Sequence, residues 1–353
     1  MAILRLSLLV FLLGTGLCHA QFMIFENIEP YVETIEFVFE ENKPFAQCHA
    51  SSIEKLGFGK YMIVWFAGSH EKNDDVGIWM SKGSPGNWSV PSLLIKVRND
   101  PHWNPVLFLS PDNRLYLYFK VGKEIDDWET WVMFSEDLGV TWSDPEELVA
   151  GDKGGRGPVR NHILVLSNGA WLAPASIEKK RVWNAFVDRS DDRGESWLNS
   201  ETLILDRKLI TGEGVIQPAL WESSPGNVHM LLRTSTGKIG RSDSKDYGRT
   251  WTPVELIDLP NNNSGIDVAQ IQGETLALAF NPVGKNWGAR YPMELAISQD
   301  NGLTWPIRKV IENGSEDNEF SYPSLIFEEG YLVLCYTWNR ENIRFVKLRL
   351  NGN

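Results

Sequence analysis

One eight-residue motif recurs through the chain at a nearly constant spacing and constrains the fold more than any other feature. It reads Ser-x-Asp-x-Gly-x-Ser/Thr-Trp and occurs at 135–142, 190–197, 244–251 and 298–305, with a degenerate copy that keeps Ser81, Gly86 and Trp88. The serines that open the five copies are 54 or 55 residues apart. Such a period indicates a stack of supersecondary units, because one unit cannot bury its apolar face alone.

Each unit also carries a short apolar segment that follows a turn containing glycine or asparagine. The segments are 61–66, 115–119, 170–173, 228–232, 276–280 and 332–336. No part of the chain shows a long apolar pattern of period 3.6, so we predict an all-β protein. The motif suits a hairpin between the third and fourth strands of a blade, where its Asp accepts backbone N–H bonds and its Trp packs into the sheet.

The number of units follows from the spacing. The 333 residues after position 20 hold about six units of this length. The last unit shows three strands, near 321–327, 331–336 and 343–350, while the segment 32–39 alternates with period two near the other end of the chain. We therefore predict that residues 21–353 form one six-bladed β-propeller with four-stranded blades, whose ring is closed by the N-terminal strand in the last blade.

The first 20 residues have the pattern of a secretory signal peptide. Arg5 precedes an apolar run at 6–13, and small residues follow at 18–20. We expect cleavage after Ala20 and a secreted, extracellular protein. No later stretch approaches the roughly 18 apolar residues of a membrane span. The net charge of −12 argues against a nucleic-acid partner.

An extracellular location bears on two covalent features. Cys48 and Cys335 remain after cleavage, and an oxidising compartment would permit a disulfide between them, with buried free thiols as the alternative. Acceptor sequences for N-glycosylation begin at Asn87, Asn262 and Asn313. The histidines show no metal-ligand spacing, and no phosphate-binding glycine motif follows a strand, so we infer neither a metal nor another cofactor.

Polar residues recur beside the six apolar segments, where a propeller would present them at one mouth of its channel. Their repetition at equivalent places in every unit predicts a polar binding site there. The candidates are His49, Asp74, Asp75, Asn104, Lys120, His162, Glu178, Gln217, Arg233, Arg290, Tyr322 and Arg340.

These motifs and residues together resemble the sialidase superfamily, and within it the secreted sialidase-like proteins with BNR (Asp-box) repeats. The resemblance places a catalytic Asp in the loop 70–75, which offers Asp74 and Asp75. It also implies carboxylate-binding arginines at Arg233 and Arg290, and a nucleophilic tyrosine at Tyr322. Nearly all of the chain beyond position 20 is covered.

The chemistry of a sialidase-like glycoside hydrolase explains these residue types. Two arginine forks hold a sugar carboxylate through charge-assisted bonds. Sialidases use Tyr where other glycosidases use a carboxylate nucleophile. A free Tyr has a pKa of about 10, so it needs a base or cations beside it. The resemblance therefore implies release of a terminal acidic sugar from a glycan.

The chain departs from the family pattern in three places. No arginine lies at 47–50, where the first arginine of the family's triad is expected, and the acidic partner of that arginine is missing at 336–337. Gln217 stands near the family's helper Glu. A different acidic sugar could instead be bound by a set of other polar residues: His49, Asn104, Lys120, His162, Glu178 and Arg340.

Two alternatives to a hydrolase remain open. A uronate lyase would use Arg233 and Arg290 to neutralise the sugar carboxylate while His49 or Tyr322 removes the neighbouring proton. A glycan-binding propeller without turnover would explain the missing first arginine.

Overall fold

The computed structural model describes residues 28–40 and 43–351, which form 25 strands and one short 3₁₀ helix. The predicted signal peptide lies outside these residues. The strands form six sheets in chain order, each antiparallel. The prediction of an all-β, six-bladed propeller is therefore confirmed.

The first strand of the chain belongs to the last blade. It is β1 (Glu29–Phe37), and it is followed by blade 1, which contains β2 (Gln47–Gly57), β3 (Lys60–Gly68), β4 (Gly77–Ser84), β5 (Asn87–Trp88) and β6 (Ser92–Ile95). Strand β6 pairs with β4, which makes this the one five-stranded sheet among the described residues.

Blades 2 and 3 follow with four strands each. Blade 2 contains β7 (His102–Leu109), β8 (Leu115–Val121), β9 (Glu129–Ser135) and β10 (Glu146–Glu147), with the 3₁₀ helix Ile125–Asp127 between β8 and β9. Blade 3 contains β11 (Leu164–Val165), β12 (Trp171–Lys179), β13 (Val182–Ser190) and β14 (Leu198–Asn199).

The remaining three blades complete the ring. Blade 4 contains β15 (Val215–Ser224), β16 (Asn227–Thr234), β17 (Lys238–Ser244) and β18 (Glu255–Pro260). Blade 5 contains β19 (Asp267–Gln272), β20 (Thr275–Phe280), β21 (Met293–Ser298) and β22 (Ile307–Glu312). Blade 6 contains β23 (Phe320–Glu328), β24 (Tyr331–Trp338) and β25 (Asn342–Asn351).

The ring closes as the alternating segment predicts. Strand β1 pairs antiparallel with β25, so that Pro30 lies opposite Leu350 and Phe37 lies opposite Arg344. The N-terminal strand thereby supplies the fourth strand of blade 6 and covers the edge of β25. The predicted closure is confirmed.

The first strands of neighbouring blades are linked directly around the channel. Ser52 Oγ of β2 accepts the Leu107 N–H of β7 at 3.1 Å, and Ser324 Oγ of β23 accepts the Ile53 N–H of β2 at 3.2 Å. These bonds bring the first strands of blades 1, 2 and 6 together around the axis. The buried serines satisfy backbone N–H donors at the β-bulges.

The repeated motif holds the outer hairpins. In the copy at 135–142, Ser135 Oγ accepts the Gly139 N–H at 2.6 Å, and Asp137 Oδ1 accepts the Thr141 N–H at 2.8 Å. The bonds from Thr141, followed by the bond from Ser135, lower the pKa of Asp137. Each complete copy begins at the last residue of a third strand. The motif is thus part of the scaffold.

Cys48 and Cys335 are buried free thiols in the structure, and no disulfide joins them. Both pack in the core cluster between blades 1 and 6, beside Trp65 and Phe345. Burial raises the pKa of each thiol to about 12, which suppresses the reactive thiolate.

The three glycosylation sequences differ in accessibility. Asn87 and Asn313 are exposed. Asn262 is buried, and its Nδ2, the atom a glycan would occupy, donates to the Ala289 carbonyl at 2.6 Å while its Oδ1 accepts the Ser264 N–H at 3.1 Å. In the folded chain the accessible acceptor sequences are therefore those at Asn87 and Asn313, and glycosylation itself stays a prediction.

Candidate active site

A pocket of about 310 Å³ lies at one end of the channel and receives side chains from all six blades. Eight of the candidate residues line it: His49, Asn104, Glu178, Gln217, Arg233, Arg290, Tyr322 and Arg340. Other lining residues were not singled out as candidates from the sequence: Glu71, Lys72, Trp103, Ile125, Trp128, Trp183, Ile216 and Trp287.

A recurrent β-bulge turns the first strands toward this pocket. Strands β2, β7, β15 and β23 each lose register with their neighbour near their beginning. Within the four shifts, Ala50, Asn104, Gln217 and Tyr322 have φ values of 56°, 40°, 55° and 55°. A bulge redirects a side chain, and left-handed non-glycine residues concentrate at functional sites. The same backbone device thus aims Asn104, Gln217 and Tyr322 into the pocket.

The Tyr322 hydroxyl lies against a buried arginine. Arg233 Nη1 donates to Tyr322 Oη at 2.9 Å and to Gln217 Oε1 at 3.1 Å, and its Nε donates to Asn263 Oδ1 at 3.0 Å. Only 2% of Arg233 is exposed. Among the described residues no carboxylate forms an ion pair with it. A buried cation with neutral partners favours an anion in its vicinity.

Three guanidinium groups surround the Tyr322 ring. The guanidinium carbons of Arg160, Arg233 and Arg290 lie 5.4, 5.7 and 5.6 Å from the ring centroid. Burial by itself raises the pKa of Tyr322, but the positive charges of Arg233 and Arg290 outweigh burial and bring this pKa below its ordinary value. The surroundings therefore favour the phenolate, which is the nucleophilic form.

Arg160 was missed as an individual site residue. It is buried, and its Nη2 donates to the carbonyls of Tyr322 and Pro323 at 2.5 and 2.8 Å. It thereby fixes the bulge that carries Tyr322. Its position in the polar segment 160–162, just before β11, was the only signal in the sequence.

His49 stands at the position where the family pattern expects an arginine. Its Nδ1 lies 3.0 Å from Thr337 Oγ1. Burial lowers the pKa of His49 well below its ordinary value, and the charges of Arg340 and Arg290 lower this pKa further. A neutral imidazole therefore occupies this place.

An alternating chain of charges holds two arginines at the rim. Glu319 binds Arg290 Nη1 through Oε1 at 2.7 Å and Arg340 Nε through Oε2 at 3.1 Å, and Arg340 also contacts Glu71. Burial would raise the pKa of Glu319, but Arg290 and Arg340 hold it below its ordinary value. The chain links blades 1, 5 and 6 and orients both guanidinium groups.

Aromatic side chains form another part of the pocket lining. Trp183 and Trp287 contact edge to face at 5.9 Å between ring centroids, and Trp287 is 55% exposed. Trp103 and Trp128 line the adjoining wall. Glu178 belongs to this part, and burial raises its pKa despite the positive charge of Arg233.

The two predicted catalytic aspartates do not line the pocket. Asp75 is held in its own loop, where it accepts the Ser69 N–H at 2.8 Å and the Ser69 hydroxyl at 2.9 Å. Asp74 Oδ2 lies 3.6 Å from the Lys123 ammonium. From this loop the structure presents Glu71 and Lys72 to the pocket instead.

Lys120 and His162 also lie away from the pocket lining. Lys120 is fully buried and donates to Thr130 Oγ1 and the Arg156 carbonyl, both at 2.6 Å, and burial lowers its pKa to about 7. His162 Nε2 lies 2.9 Å from Ser324 Oγ and 3.4 Å from Asp267 Oδ2. His162 thus bridges strands across the channel.

The described part of the chain contains neither a metal-binding cluster nor a membrane-spanning helix. Residues 28–40 and 43–351 contain no group of three or more His, Cys, Asp or Glu side chains arranged to hold a metal ion. Within the same ranges there is no helix of the length and apolarity that crossing a bilayer requires.

The sequence profile of the BNR repeat-like domain matches residues 59–334. The chain belongs to this family. A sialidase of Paraclostridium sordellii is 22% identical over 242 residues, which are 60% of this chain and 55% of that protein. The BNR-repeat chain therefore spans about half the length of this curated relative.

Solved structures show the same fold. A protein of unknown function from Dyadobacter fermentans superposes with a TM-score of 0.72 at 15% identity, over 91% of this chain and 99% of that one. A Hadza microbial sialidase superposes with a TM-score of 0.74 at 15% identity, over 90% of this chain and 68% of that one. The NanB sialidase of Streptococcus pneumoniae superposes with a TM-score of 0.67 at 12% identity, over 91% of this chain and 71% of that one. This BNR-repeat protein thus has the sialidase-superfamily propeller.

Proposed function

We propose that this BNR-repeat protein is a glycoside hydrolase that releases a terminal acidic sugar, with Tyr322 as its nucleophile. One observation carries the proposal. Arg233 is a buried cation without a carboxylate partner among the described residues, and it lies 2.9 Å from the Tyr322 hydroxyl. Such a group stabilises both a bound sugar carboxylate and a phenolate.

The remaining residues fit the same reaction. Arg233 and Arg290 hold the carboxylate of the sugar, and Arg340 lies beside Arg290 because Glu319 binds both. Arg160 fixes the backbone of Tyr322 through two carbonyl bonds. The phenolate attacks the anomeric carbon, and water later releases the sugar from Tyr322. Asp74 and Asp75, predicted as the acid/base, would have to leave their present contacts to take part.

We further propose that the protein acts outside the cell. The support is the signal-peptide pattern at residues 1–20. An acidic glycan displayed on a secreted or cell-surface glycoconjugate is then the proposed partner.

The test measures products from two kinds of substrate. Purified protein is incubated with sialyllactose and with a uronate polysaccharide, and free sialic acid and the ultraviolet absorbance of unsaturated uronates are recorded. We expect free sugar without absorbance. Rising absorbance would overturn the hydrolase in favour of a lyase, and glycan binding without either product would favour a binding propeller.

A matched pair of variants assigns the nucleophile. Tyr322→Phe should lose several orders of magnitude in kcat, because removing a covalent nucleophile abolishes its route. Tyr331→Phe also removes a phenolic hydroxyl from blade 6, but Tyr331 lies at the start of β24 and does not line the pocket. We expect it to retain activity. A near-normal rate in Tyr322→Phe would remove Tyr322 from the mechanism.

A further inference from the structure

We propose that Glu178 is the general acid and base of this pocket, and that it protonates the leaving-group oxygen. The proposal rests on the hydrolase function proposed above. It differs from the expectation drawn from the family pattern, which placed this role at Asp74 or Asp75.

The position of Glu178 opposite the nucleophile is the first support. Glu178 lies near the end of β12 in blade 3, and Tyr322 lies in β23 of blade 6. These blades are three apart in a ring of six and so face each other across the axis. Arg160, from the loop before β11, reaches the Tyr322 carbonyl at 2.5 Å across this axis. Glu178 and Tyr322 therefore face the same pocket from opposite sides.

The freedom of the Glu178 carboxyl is the second support. Its one hydrogen bond is a long contact of 3.5 Å from Ser176 Oγ, and it forms no ion pair with any described residue. The other carboxyl in the pocket lining, Glu71, contacts Arg340 directly. The Glu71 carboxylate is thereby occupied in an ion pair. Among the described residues, Glu178 is thus the lining carboxyl without an arginine partner.

The charges around Glu178 agree with a proton-donating role. Burial raises its pKa; Arg233 of blade 4 and Lys120 of blade 2 oppose this rise, and Asp126 of the 3₁₀ helix supports it. The net result is a pKa above that of an ordinary Glu. A larger fraction of the acid form then persists toward neutral pH, as general acid catalysis requires.

The wall beside Glu178 suits an uncharged leaving group. Ile125 and Trp128 of blade 2 and Trp183, the cross-strand partner of Glu178, form this wall, and the Arg233 guanidinium lies 5.8 Å from the Trp183 ring centroid. Arg290 and Arg340 come from blades 5 and 6. The cationic side suits the sugar carboxylate, and the aromatic side suits the face of the next sugar or another aglycone. The scissile oxygen would then lie between the two, on the side of Glu178.

The step balances with the groups present. The Tyr322 oxygen bonds to the anomeric carbon while the bond from that carbon to the leaving oxygen breaks, and Glu178 transfers its proton to that oxygen. In the second half, the Glu178 carboxylate takes a proton from water, and the water oxygen bonds to the anomeric carbon as the bond from that carbon to the Tyr322 oxygen breaks, which restores the phenolate.

The test compares leaving groups of different basicity. Glu178→Gln should slow release from sialyllactose by about 10²- to 10⁴-fold, which is the usual contribution of a general acid. It should slow the first step with 4-methylumbelliferyl sialoside far less, because that leaving group needs no proton. The fall in kcat/KM for sialyllactose toward alkaline pH should also disappear in the variant.

Glu71→Gln is the comparison, because its carboxyl orients Arg340 and does not donate a proton in this scheme. We expect it to slow both substrates by the same factor. Equal losses on both substrates in Glu178→Gln, or an unchanged pH profile, would overturn the proposal for Glu178. The hydrolase itself would still stand if Tyr322→Phe abolished turnover. A wild-type protein that released sugar from neither probe would overturn the hydrolase and, with it, this role of Glu178.

Discussion

The imidazole of His49 lies 4.4 Å from the phenol ring of Tyr322, measured between ring centroids. A cation was expected in this part of the site, since the family pattern has an arginine near residues 47–50. The structure places a neutral ring there and brings Arg340 to the rim from blade 6, where Glu319 couples it to Arg290. The arginines that line the pocket therefore come from blades 4 to 6.

We expect His49 to stay uncharged in the folded protein across neutral and mildly acidic pH. Burial and the charges of Arg340 and Arg290 lower its pKa well below the ordinary value. Nitrogen-detected NMR of labelled protein between about pH 5 and pH 8, where an ordinary His titrates, should show no protonation of this ring. His49→Phe assigns the resonance. A midpoint near the ordinary value would contradict the burial argument.

Arg233 should control the ionisation of Tyr322. Burial raises the pKa of Tyr322, and Arg233 and Arg290 lower it, with the net shift downward. Arg233→Gln removes one of the positive charges that lower the pKa of Tyr322, so this pKa should rise. The measurement is a pH titration of tyrosinate absorbance, in which Tyr322→Phe identifies the signal and Arg290→Gln tests the second charge. An Arg233→Gln titration that matched the wild type would contradict the assignment.

His162 should make stability depend on pH in a defined direction. Burial lowers its pKa, but Asp267 and Glu54 outweigh burial, so the folded pKa lies above the unfolded value of 6.5. The protonated ring therefore stabilises the fold fully below pH 6.5, and this contribution disappears as pH rises through the folded pKa. Urea unfolding at several pH values should show a difference between wild type and His162→Gln that shrinks with rising pH. A constant difference would refute the linkage.

Closure of the ring by the N-terminal segment can be tested by introducing an aspartate at a buried and at an exposed position of that segment. Val38 is 1% exposed in the core between blades 1 and 6, so Val38→Asp buries a carboxyl without a partner. We expect a loss of about 3 kcal/mol or more in the free energy of unfolding. Ile35→Asp, at a position 44% exposed on β1, should change it by about 0.5 kcal/mol or less. Similar denaturation midpoints for both variants would argue against closure by this segment.

Glycan occupancy should separate the three acceptor sequences. If the protein is expressed through a glycosylating secretory pathway, peptide mass spectrometry should find glycans at Asn87 or Asn313, which are exposed. Asn262 should be unmodified in folded protein because its Nδ2 is buried and donates to the Ala289 carbonyl. A fully occupied Asn262 in a protein with native melting would contradict the packing described around it.

The architecture can be predicted from local sequence patterns. The spacing of the motif at 135–142 and its copies predicts the number of blades. The motif is visible in the sequence because its hydrogen bonds join residues close in the chain, such as the bond from the Gly139 N–H to Ser135 Oγ. The alternation at 32–39 located the closing strand, because period-two burial is a local property of a half-exposed strand. Tyr322, Arg233 and Arg290 were predicted as site residues because each stands beside an apolar segment in a short motif that resembles the sialidase superfamily.

Which polar residues lie in contact depends on the way the blades are arranged in space. Asp74 and Asp75 were predicted as the acid/base because the family resemblance specifies a loop, and a loop position shows neither the direction nor the partner of a side chain. Lys120 and His162 occupy places in the sequence pattern equivalent to those of Arg233 and Tyr322, yet their side chains bind Thr130 and Asp267 instead. The contact of Arg160 with Tyr322 joins residues 162 positions apart. Such contacts depend on bulge geometry and on which blades face each other across the axis, and a local pattern carries neither.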